Sequence, residues 1–115
     1  MEIKNAVITD MNIRFFDQNA LVLVAVVMFN MGVSHPPRQE IIELSRGCPV
    51  KDFVGHWLCK MLLVAGANSV QEIVGKAVRL KIDQDQVEGV GHIVEDAWFN
   101  FYGLVEKEST ANAEQ

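Results

Sequence analysis

Asp83, Asp85, Glu88, Glu95 and Asp96 fall within a stretch that holds no Lys or Arg. The whole chain has 10 Lys and Arg against 15 Asp and Glu, a net charge of -5, so this stretch alone carries the numerical excess. Carboxylates so spaced could hold a cation, and Asp83-x-Asp85-x-x-Glu88 has the start of a calcium loop. An EF-hand, however, needs a longer loop, a central glycine and flanking helices. What remains is the charge itself, which can steer a basic protein or a ribonucleoprotein toward the surface. A solvated hairpin reads the same way in sequence.

His92 follows Gly89 and Gly91 at alternate positions, and such small neighbours allow backbone or ligand to come close. It reads either as a catalytic base or as an imidazole bonded to backbone at the edge of the core. No Ser or Cys stands at a nucleophile elbow. His56 and Cys59 could be imagined with Cys48 and His92 around zinc, but structural zinc sites draw ligands from tight pairs, which Cys48 and Cys59 do not form. No catalytic residue, metal or cofactor is expected, and the chain is read as a non-enzyme. Both cysteines are expected as thiols.

The elements that must position these residues follow from periodicity. Val50, Phe53, Val54, Trp57, Leu58, Met61, Leu62 and Ala65 trace the stripe of an amphipathic helix, with Pro49 in its first turn and Gly66 at its end. Asp52, His56, Cys59 and Leu63 then share the opposite side. That side is not strongly polar, so His56, Cys59 and Leu63 form a second candidate partner surface. Ser69-Val70-Gln71-Glu72 has capping-box spacing for a short second helix ending at Gly75.

Alternation predicts strands over Ala6–Phe16, Leu21–Phe29, Gln39–Leu44, Lys76–Ile82 and Val87–Glu95. The order is β-β-β-α-β-β: an α+β domain with a mostly antiparallel five-stranded sheet on one main helix. The same order is that of an OB-fold barrel. The second strand is apolar on both faces. Its outer face is expected to meet either a closed barrel or a second subunit, since a long exposed apolar strand invites aggregation. Trp98, Phe99, Phe101 and Tyr102 read as a lid on the core. Residues 1–103 are read as the domain and the polar segment 104–115 as a fraying tail.

Net charge argues against duplex DNA as a partner. Lys76, Arg79 and Lys81 form a short basic line. With Phe15, Phe16 and Phe29 they could serve a single strand if those rings were exposed. The longest apolar run, Leu21–Phe29, is far short of the roughly 20 residues a membrane helix needs. The opening Met1-Glu2-Ile3-Lys4 is charged where a signal peptide is apolar, so the chain is expected in the cytoplasm and off the membrane.

The opening Met-Glu-Ile-Lys-Asn-Ala-Val-Ile and Val64-Ala65-Gly66 carry a resemblance, as do Gly75-Lys76-Ala77-Val78-Arg79-Leu80-Lys81 and Val90-Gly91-His92-Ile93-Val94-Glu95-Asp96-Ala97-Trp98-Phe99. Together they resemble a family of small proteins encoded as accessory genes by phages and prophages. The likeness is concentrated at the N-terminus and over residues 53–100. Where relatives are expected to carry a glycine-rich hairpin, this chain has Phe29-Asn30-Met31-Gly32-Val33-Ser34-His35. The resemblance implies a phage or prophage origin and inhibition of host machinery, anti-CRISPR action included, through binding a host protein or ribonucleoprotein complex.

Overall fold

The computed structural model describes residues 2–47 and 53–100. It is an α+β fold with six antiparallel strands: β1 (Glu2–Asp17), β2 (Val22–Asn30), β3 (Arg38–Arg46), β4 (Ala77–Asp83), β5 (Gln86–His92) and β6 (Trp98–Asn100). Between β3 and β4 lie the helices α1 (Phe53–Ala65) and α2 (Val70–Ile73). The sheet order is β3-β2-β1-β4-β5-β6. β1 belongs to two ladders: Glu2 to Val7 face β4, and Val7 to Asp17 face β2. The alternation that predicts its start at Ala6 misses Glu2 to Asn5, because Ile3 and Val7 lie on the exposed side there. An irregularity between Ile8 and Asp10 then shifts the alternation.

The sixth strand is a correction to the expected five. β5 stops at His92 and does not run to Glu95, because the His92 Nδ1 accepts from the amides of Val94 (3.1 Å) and Glu95 (3.0 Å) and bends the chain away. The His92 amide then donates to the Ala97 carbonyl at 2.9 Å, and the returning residues pair Gly91 with Trp98 and Gly89 with Asn100. Trp98 and Phe99 are therefore neighbours on a strand and not a shared lid. Phe99 enters the core, edge-on to Trp57 with centroids 6.1 Å apart, while Trp98 lies on the outer face. Phe101, Tyr102 and the tail lie outside the described residues, as do Cys48, Pro49, Val50 and Asp52.

The core fills the space between the inner face of the sheet and α1. Trp57, Met61 and Val64 come from the helix and meet Ile8, Val27, Phe29, Ile42, Leu44, Leu80 and Val90, all buried. Gly66 ends α1 at φ +65°, the left-handed position that glycine enters without a Cβ clash. Ser69 caps α2 by accepting from the Glu72 amide at 3.3 Å, and the Glu72 carboxylate reaches back to the Asn68 amide at 2.9 Å. The chain after α2 is tied to β1, since the Gly75 amide donates to the Ile8 carbonyl at 2.7 Å.

Gln84 and Asp85, both at positive φ, make the tight turn between β4 and β5. Arg38, at the start of β3, reaches this turn from the other end of the strand order. Its guanidinium donates to the Asp85 backbone carbonyl, lies 3.4 Å from the Asp85 carboxylate, and holds Glu40 at 3.0 Å. The sheet is thus curled enough for β3 to approach the β4–β5 turn. No ladder joins β3 to β5 among the described residues.

Candidate functional site

The acidic stretch divides into two groups. Asp83 and Asp85 sit at the turn that opens β5, and Glu95 and Asp96 lie beyond its other end. At about 3.3 Å per residue, β5 separates them by roughly 20 Å, more than twice the screening length of about 8 Å at physiological salt. They act as separate patches. Asp85 is engaged by Arg38, and Asp96 accepts the Trp98 Nε1 proton at 3.0 Å. Glu88 stands between them, at an irregularity where Lys81 pairs with Gly89 and Ile82 with Val87.

The outer face of β4, β5 and β6 carries a different feature. Gly91 pairs with Arg79 on one side and Trp98 on the other. The Trp98 indole leans across Gly91 so closely that a Cβ there would stand 2.5 Å from its ring. Leaning this way brings it to the cations of β4: the Arg79 Cζ is 4.8 Å and the Lys81 Nζ 4.2 Å from the ring centroid. Arg79 is held in place because its Nε donates to the His92 carbonyl and its Nη2 to the Glu95 carbonyl, each at 2.8 Å. Each cation–π contact contributes about 0.5–1 kcal/mol at an exposed site. Neither Arg79 nor Lys81 is ion-paired with a carboxylate among the described residues. A cleft of about 370 Å³ opens beside the indole, floored by Gly89 and walled by Lys81, Glu88, Trp98 and Asn100.

The other candidates are spread over the molecule. His56, Cys59 and Leu63 share the exposed side of α1, away from the hairpin strands' outer face, and Cys59 is a free thiol. Phe29 is fully buried and unavailable to a strand of nucleic acid, whereas Phe16 is 71% exposed. His92 has its Nδ1 occupied by two backbone amides, so it positions the β5–β6 loop. No group of three metal-ligating side chains occurs among the described residues. No helix there is long and apolar enough to cross a membrane. Comparison with models of protein families, with curated proteins and with solved structures finds no match.

Trp98 is the residue that the aromatic-lid reading misplaces. The signal for its position is the spacing of Gly89 and Gly91, which empties one side of β5 in two successive rows and leaves room for a large ring from the next strand.

Proposed function

We propose that this is a phage or prophage accessory protein that acts by binding a host protein or ribonucleoprotein complex in the cytoplasm and blocking it, without catalysis. The docking face is the outer side of β4, β5 and β6. The observation that carries this reading is the Trp98 indole seated on Gly91 beside Arg79 and Lys81, which have no carboxylate partners among the described residues. Trp and Arg dominate the energetics of protein interfaces when they sit at the centre of a patch whose rim excludes water. Glu88, Glu95 and Asp96 supply that rim, and Asp83 and Asp85 add charge at the far turn. The complementary partner presents carboxylates or carbonyls to Arg79 and Lys81 and basic groups to the rim. The resemblance to phage accessory proteins and the anti-CRISPR class it suggests are consistent with such a surface.

A second reading draws on the same cations and indole, which are also what an OB-like module uses to hold a single strand. The acidic rim distinguishes the two. Replacing Glu88 and Glu95 with Gln and Asp96 with Asn slows association with a protein partner but tightens single-strand binding by removing repulsion. The experiment is affinity capture from nuclease-treated host lysate, followed by association-rate measurement on the captured protein and on an oligonucleotide. Slower capture by the neutralised variant supports protein docking. Unchanged capture with tighter oligonucleotide binding supports the second reading. Duplex DNA is expected to bind weakly or not at all in either case.

A further inference from the structure

The opposite half of the sheet has an outer face of another kind. Its registers place Asp10 beside Met28 and Gln39, Asn12 beside Val26 and Ile41, and Arg14 beside Val24 and Glu43. These three rows cross β1, β2 and β3, and all their residues but Glu43 line a cleft of about 570 Å³ on the side away from α1. Val24 is buried, but Ile41 is 44% exposed and Phe16, at the rim, 71%. Arg14 is exposed and has no ion pair among the described residues, and Glu43 is already held by Arg46 at 2.6 Å.

We infer that this face is the dimer interface of the protein, with a second copy related by a two-fold axis running across the strands over the Asn12–Val26–Ile41 row. A two-fold axis in the plane of the interface keeps each strand opposite itself and reverses its rows. Asp10 then faces the partner's Arg14, and the partner's Asp10 faces Arg14. Asn12 meets its own copy, and an amide both donates and accepts. Val26 and Ile41 meet themselves, Met28 meets the partner's Val24, and Gln39 meets the partner's Glu43. Every polar group gains a complementary group and every apolar group an apolar one. The alternative axis, along the strands, sets Asn12 against Ile41 and asks Glu43 to serve two arginines. The antiparallel face-to-face arrangement is also that of two aligned packed sheets, about 10 Å apart. The interface leaves the Trp98 face free, because its rows lie in the part of β1 that pairs with β2, whereas β4 pairs only with Glu2 to Val7.

Sedimentation at micromolar concentration tests the pairing. Wild type is expected as a dimer. Asp10→Lys and Arg14→Glu, both surface changes, are each expected to sediment as monomers, with dimer affinity reduced at least about a hundredfold by like charges brought face to face. Mixing the two variants is expected to restore a 1:1 dimer. In the mixed pair, the lysine at position 10 of one chain meets the glutamate at position 14 of the other, and the two native residues meet at the second contact. A monomeric wild type, dimeric single variants, or a mixture that stays monomeric would each overturn the inference.

Discussion

The outer faces of the two halves of this sheet are built from the same kind of strand yet carry opposite chemistry. Over β1, β2 and β3 the outward rows are filled with Val24, Val26, Met28 and Ile41, with charge only at the corners. Over β4, β5 and β6 the middle strand has glycine in its two central rows, and an indole with two cations occupies the space above them. The long β1 lets both coexist, since Glu2 to Val7 serve the ladder with β4 and Val7 to Asp17 the ladder with β2. A filled face of matched rows suits a copy of itself. An emptied face with one large ring and two cations beside it suits a different partner.

The deepest way to break both faces together is Trp57→Ala. Trp57 is 1% exposed and packs against Phe99 beneath the sheet, so its truncation should cost about 3–5 kcal/mol in urea denaturation. Gly91→Ala should act on one face alone. Its new methyl meets the indole rather than a flexible chain end, and the expected loss is about 1–3 kcal/mol from overpacking. Displaced Trp98 should also show as a red shift in tryptophan emission. Gly89→Ala sharpens the contrast, because the nearest atom to its Cβ is a carbonyl oxygen at 3.4 Å. A loss under about 1 kcal/mol and unchanged emission are expected there. The smallest effect belongs to Leu63→Ser on α1. Leu63 is 63% exposed, and its replacement should alter stability by no more than about 0.5 kcal/mol.

Much of this architecture is legible from period alone, for reasons visible in single elements. Val78, Leu80 and Ile82 alternate without interruption and are buried as expected. The helix stripe through Trp57, Met61 and Val64 is equally regular and equally buried. Legibility fails where a side chain redirects the backbone. The turn after His92 depends on an imidazole accepting two amides, and β6, only 3 residues long, is too short to show a period. The acidic stretch looks like one patch in sequence because proximity along the chain hides the length of the strand between Asp85 and Glu95. The indole could not be placed by its neighbours in sequence, because what seats it is a glycine on the adjacent strand.

The central claim is that Trp98 anchors a host partner, and the direct measurement is the affinity of the captured partner for wild type and for Trp98→Ala, with Leu63→Ser as the control on the other exposed surface. The expected result is an affinity loss of about thirtyfold or more for Trp98→Ala, the loss typical of a central tryptophan worth 2 kcal/mol or more, with an unchanged Leu63→Ser. Equal affinity for wild type and Trp98→Ala, with both proteins folded, would contradict it. Loss confined to Leu63→Ser would move the docking surface to the outer side of α1.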